Sequence, residues 1–141
     1  MRLSRKTFLG NMKKSEASQH TAVAAWMRNF LKKHHSVAVE VKHTRGKNSL
    51  PFSALEVHQR DALMAVHGTG LVFKIPDGGY QKLPFDLFGM ARSLSFVAVR
   101  YPKFIAIIDI QRWVLEEMKS ERKSLTDARA IEIATDVIDF G

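Results

Sequence analysis

The chain has 141 residues, with six histidines, no cysteine, 22 Lys plus Arg and 14 Asp plus Glu, for a formal net charge of +8. That length suits one domain, and 45% apolar residues suffice for an ordinary core; the lack of cysteine excludes a disulfide framework, a thiol nucleophile and thiolate-based zinc or iron–sulfur sites. No apolar run approaches the ~18–20 residues of a membrane span and no secretory leader opens the chain, so a soluble cytoplasmic protein without a membrane partner is expected.

Residues 1–14, MRLSRKTFLGNMKK, mix basic and apolar residues without a sustained period and read as a basic arm, leaving 15–141 as a single domain. From Ser15 or Ser18, either a suitable N-cap, to about His34, Ala22, Val23, Trp26, Phe30 and Leu31 recur at helical spacing. Trp26 and Phe30 are assigned to the core. SVAVEVKHT, residues 36–44, alternates as a strand does: Val37, Val39 and Val41 point one way, Ala38, Glu40 and Lys42 the other. RGKNSLPFS, 45–53, reads as a loop, and a second helix is expected from about Ser53 to His67, with Leu55, Leu63 and Met64 inward and Gly68 and Gly70 ending it.

LVFKI (71–75) reads as a strand, PDGG (76–79) as a turn and LPFDLFG (83–89) as a second short strand carrying Asp86. SFVAVRY (95–101) and FIAIIDI (104–110) are two apolar strands, and a helix follows from Arg112 to Lys119. The remainder reads as a short RKSLTDARAIEIA segment and a thin tail. The expected order α-β-α-β-β-β-β-α defines a mixed α/β fold without an internal repeat.

The charge is one-sided. Residues 1–50 hold 11 bases and two acids, Glu16 and Glu40, while residues 51–141 hold 11 bases and 12 acids. A basic segment of this kind suits a polyanion, since each neutralised phosphate releases counterions; the plain alternative is a solubilising tail. Glu40-Val41-Lys42 lies within it, and residues i and i+2 of a strand share a face. A carboxylate able to hold a hard cation thus stands beside an ammonium able to orient or deprotonate water. Taken alone, Glu-x-Lys is common, and a surface ion pair worth ~0–1 kcal/mol is the ordinary reading. Five of the histidines, His34, His35, His43, His58 and His67, offer no i, i+4 pair, so zinc is not expected.

The longer stretch AVEVKHTRGKNSLPFSALEVHQRDAL, residues 38–63, resembles the PD-(D/E)XK nucleases, most closely the RecU-type Holliday junction resolvases and related phage enzymes. RKSLTDARAIEIATDVIDFG, residues 122–141, resembles the closing segment of the same group. The resemblance implies a restriction-endonuclease-like mixed central sheet flanked by helices, Mg²⁺ or Mn²⁺ as cofactor, branched DNA as substrate and a homodimer. It implies Asp86, Glu40 and the backbone carbonyl of Val41 as metal ligands, Lys42 as the residue positioning the water, and Gln59 as support for the lysine or a substrate phosphate. His43 and Thr44, just past Lys42, are expected to contact DNA or to order the active-site loop, with plain loop residues as the ordinary alternative, and Arg45, Lys47 and Asn48 extend the same edge toward phosphate contact. Glu16 resembles an extra acid found near the metal in some members, although an acid favoured by the helix dipole is the simpler role.

The chain departs from the family in one respect. The metal-binding aspartate normally precedes the Glu-x-Lys strand, yet here the matching sequence, FKIPDGGYQKLPFDLFG (73–89), follows the second helix. A rearranged order would place the hairpin bearing Asp86 beside the Glu40 strand; Asp77 suits turn chemistry instead. Two other readings remain: a nuclease for flaps, nicked or linear duplex, and a nucleic-acid-binding module without catalysis.

Overall fold

The structure is a computed structural model that describes residues 2–4, 16–75 and 85–140, with side chains from Gln19 onward. Among these the elements run β1 (Arg2–Ser4), α1 (Glu16–Phe30), β2 (Val37–His43), β3 (Ser49–Pro51), a 3-10 turn (Phe52–Ala54) and α2 (Val57–Gly68). They continue through β4 (Leu71–Lys74), β5 (Leu87–Met90), β6 (Leu94–Arg100), β7 (Phe104–Asp109), α3 (Ile110–Lys119), β8 (Ser124–Thr126), α4 (Asp127–Ile133) and β9 (Asp136–Asp139). The chain is mixed α/β, with a mixed five-stranded sheet in the order β1-β9-β7-β6-β2 flanked by helices.

The alternation read in β2 is realised in the packing. Val37, Val39 and Val41 join Phe96, Ala98, Ile105, Ile107 and Ile138 on the face covered by α1, where Ala22, Val23 and Trp26 are buried. The other face carries Val97, Val99, Ala106 and Ile108 under α2, α3 and α4, with Leu63, Trp113 and Ala130. β6 and β7 are buried along almost their whole length because helices cover both faces. Trp26 fastens α1 to the far side of the sheet, its indole N–H donating to Asp136 Oδ2 at 2.8 Å. Truncating a tryptophan packed in this way costs about 3–5 kcal/mol.

Several expectations are corrected. The second helix begins at Val57, not Ser53, and its Met64 is exposed instead of inward. α1 ends at Phe30, not His34, and Leu31 is exposed. The 45–53 loop contains β3, which pairs antiparallel with β8 inside the RKSLT segment. The presumed thin tail is β9, a strand of the main sheet with Ile138 and Phe140 buried. Arg2–Ser4, within the expected arm, pair parallel with β9. The turn expected at 76–79, with Asp77, and the start of the 83–89 strand lie outside the described residues. Among the described residues no helix is long and apolar enough to cross a membrane.

Candidate active site on the edge strand

β2 is the end strand of the sheet, paired parallel with β6 so that Glu40 stands opposite Val97 and Lys42 opposite Val99. Those valines point into the core under α2. At the sheet's margin the same row of β2 meets the start of α2 instead, and this position lets a half-buried strand carry two charges. Lys42 Nζ lies 3.3 Å from Glu40 Oε1, and the two side chains are 17% and 32% exposed, so both are open to a solvent ion or a substrate.

Gln59 completes the cluster from α2. It forms a capping box with Glu56: its Oε1 accepts from the Glu56 backbone N–H at 3.1 Å. That contact fixes the amide orientation, because Oε1 must face a donor, and Nε2 is thereby turned to donate to Glu40 Oε1 at 3.0 Å.

Gln19 is a residue the sequence reading passed over. It is 2% exposed on α1, and its Nε2 donates to the backbone carbonyl of Lys42 at 2.7 Å. A single glutamine on an amphipathic helix carries no sequence signal, since only the tertiary fold brings residue 19 to residue 42. The site segment of β2 is therefore held from both faces of the sheet, by Gln59 through a side chain and by Gln19 through the backbone.

The edge beyond Lys42 turns sharply. Thr44 is buried and its N–H donates to the Arg100 carbonyl at 3.0 Å. Arg45 has φ 56° and Gly46 φ 85°, and the Arg45 N–H donates to His43 Nδ1 at 2.6 Å. A non-glycine residue in the left-handed region costs on the order of 1 kcal/mol. Arg45, Lys47 and Asn48 are exposed. The Asn48 carbonyl accepts from the Asp127 N–H at 2.8 Å, which ties the turn to the start of α4.

Asp86 is not brought to this cluster by strand pairing. It is exposed, immediately before β5, and its carbonyl accepts from the Ile75 N–H at 2.9 Å. The β4–β5 ribbon pairs with itself, and the neighbour of the Glu40 strand is β6. Glu16 opens α1, but its side chain lies outside the described ones. Among the described residues no group of three or more His, Cys, Asp or Glu side chains could hold a metal ion.

Shifted ionisations occur elsewhere, around β8. Burial pushes the Tyr101 phenol well above its ordinary value, assisted by the Asp127 carboxylate, and its hydroxyl donates to the Leu125 carbonyl at 2.9 Å. The Arg129 guanidinium, which donates to both oxygens of Glu116 at 2.7 and 3.0 Å, holds that carboxyl below its usual range. The first contact docks β8 beside the end of β6, and the second fastens α4 to α3. Comparison of the chain with protein-family models, with curated proteins and with solved structures returns no match.

Proposed function

We propose that this protein is a metal-dependent endonuclease of the PD-(D/E)XK type with a restriction-endonuclease-like core. It acts as a homodimer on branched DNA, most simply as a resolvase of four-way junctions. The observation that carries the reading is the Glu40–Lys42–Gln59 cluster: a carboxylate and an ammonium on one face of an edge strand, with a helix glutamine donating to the carboxylate. Its context, the stretch 38–63, is the part of the chain that resembles those nucleases. Symmetric cutting of a four-way junction calls for two copies of the site related by a twofold axis.

The reading takes Mg²⁺ or Mn²⁺ as its ion. Such ions take hard oxygen ligands, and Mg²⁺ is commonly held by one or two carboxylates together with water and substrate phosphates. Glu40 and the Val41 carbonyl supply two such oxygens, and Asp86 is the second carboxylate of this reading on the strength of its sequence context. The bound ion would polarise the phosphoryl oxygen and acidify water. Lys42 holds the attacking water by hydrogen bonding and offsets negative charge building on the phosphate. Gln59 keeps Glu40 aimed, and His43, Arg45, Lys47 and Asn48 form the edge along which a phosphate backbone runs, with the buried Thr44 ordering the turn between them.

Incubating the protein with Mg²⁺ and a panel of four-way junction, flap, nicked and linear DNA tests the reading. Cutting of the junction is expected to be fastest, with Asp86→Asn slowed by two orders of magnitude or more. Faster cutting of a flap or linear duplex assigns the core to another DNA structure. The exposed cations Arg45 and Lys47 beyond the edge strand also suit one further reading, a binding module without catalysis. It would give salt-sensitive binding and no cleavage with any metal.

A further inference from the structure

The short antiparallel ribbon β3–β8 joins two segments separated by about 70 residues in the chain, and both carry exposed cations. Ser49, Leu50 and Pro51 stand opposite Thr126, Leu125 and Ser124. At one end of the ribbon, Arg45 and Lys47 lie in the turn that leads to β3. At the other, Arg122 and Lys123 lead into β8, and the Lys123 carbonyl accepts from the Phe52 N–H at 3.0 Å. All four side chains are exposed. Among the described residues none of the four takes part in an ion pair, whereas Lys42, Arg60 and Arg129 do. Glu121 is the one acid in the 120–124 loop.

The ribbon is strung between the two halves of the Glu40 cluster. Going backward from β3 the chain reaches Lys42 through the 43–48 turn. Going forward it reaches Gln59 through the 3-10 turn and the start of α2. The core holds it in place through Leu50 and Leu125, which are 4% and 1% exposed. At a strand rise of ~3.4 Å, three residues separate the two basic loops by about 10 Å, a spacing on the scale of a DNA groove.

We propose that β3–β8 and its two basic loops form a rigid clamp for the DNA phosphate backbone, with Arg122 and Lys123 as its second jaw. This deepens the nuclease reading by naming the surface that seats the substrate beside Glu40. A polyanion gains from such loops because each phosphate contact releases counterions, and a fixed ribbon spends little entropy in presenting them.

The test is binding of a four-way junction without divalent metal, measured from 50 to 200 mM salt. Arg122→Ala/Lys123→Ala is expected to weaken binding about tenfold or more, and to make the log–log salt dependence shallower by about 2. Lys103→Ala, an exposed cation on the β6–β7 turn, is expected to leave both unchanged. The swap Arg122→Lys/Lys123→Arg is expected to keep the wild-type salt slope, since the charges remain. An unchanged slope in the double alanine variant overturns the clamp, as does an equal loss in Lys103→Ala. Loss of binding to phosphatidylserine vesicles with junction binding intact also overturns it, in favour of a lipid surface. Because no cleavage is read, failure of the nuclease reading leaves this outcome standing, and failure of the clamp leaves cleavage at Glu40 to be judged separately.

Discussion

Gln59 joins the first turn of α2 to the carboxylate of Glu40. Its amide oxygen accepts from the helix cap residue and its amide nitrogen donates to Glu40 at 3.0 Å. Replacement by glutamate removes the amide donor and sets a second carboxylate against Glu40, while replacement by alanine removes the donor alone. Under the proposed function both variants are therefore expected to lower the cleavage rate, Gln59→Glu more strongly because like charges repel. Gln59→Ala also loses part of the capping box, about 0.5–2 kcal/mol by denaturant melts, whereas Gln59→Glu keeps an oxygen to accept the Glu56 N–H.

Gln19 acts on the site through the backbone of Lys42, to which its buried amide donates at 2.7 Å. Gln19→Ala leaves that hydrogen bond unmade, at about 1–2 kcal/mol of stability. Steady-state kinetics on junction DNA are expected to show a lower kcat with KM unchanged, because the residue aims Lys42 and touches no DNA. A raised KM with unchanged kcat would remove Gln19 from this positioning role.

Arg45 combines a left-handed backbone with an exposed cation. Arg45→Gly relieves the steric cost but gives the unfolded chain more freedom, so stability is expected to stay level or rise by up to about 1 kcal/mol. DNA affinity is expected to fall as one phosphate contact is lost. Thermal melts and binding isotherms on the same preparation separate these opposite effects.

Tyr101 gives the fold an alkaline limit. Its folded-state pKa is raised above the ordinary 10.0 by burial first and the Asp127 carboxylate second. The neutral phenol therefore stabilises the fold fully below pH 10, and that contribution is lost as the pH rises above it. Melting temperatures between pH 8 and 11 are expected to drop more steeply for the wild type than for Tyr101→Phe. The variant pays a roughly constant ~1 kcal/mol for the missing bond to Leu125.

Much of the sheet was legible because its strands are strongly patterned. The alternation of Val37–Lys42 gave both the strand and its charged face, and the apolar runs at 95–101 and 104–110 are the two central strands. β3 and β8 were not legible, since three-residue strands hold too few side chains for a period to show and exist only through their pairing. β9 was overlooked for another reason. Asp136 and Asp139 make DVID look polar, yet Asp136 is buried against Trp26 and the strand completes the main sheet. Within the site, Glu40, Lys42 and Gln59 could be singled out from sequence, but the parallel pairing of β2 with β6 and the reach of Gln19 are long-range facts that no local pattern encodes.

The proposed role of Glu40 and Lys42 in phosphodiester chemistry is tested by single-turnover cleavage of a synthetic four-way junction with Mg²⁺ at saturating protein. Glu40→Ala and Lys42→Ala are expected to cut at least 100-fold more slowly than the wild type while binding the junction within a few-fold of its affinity. Wild-type rates in both variants would contradict the account.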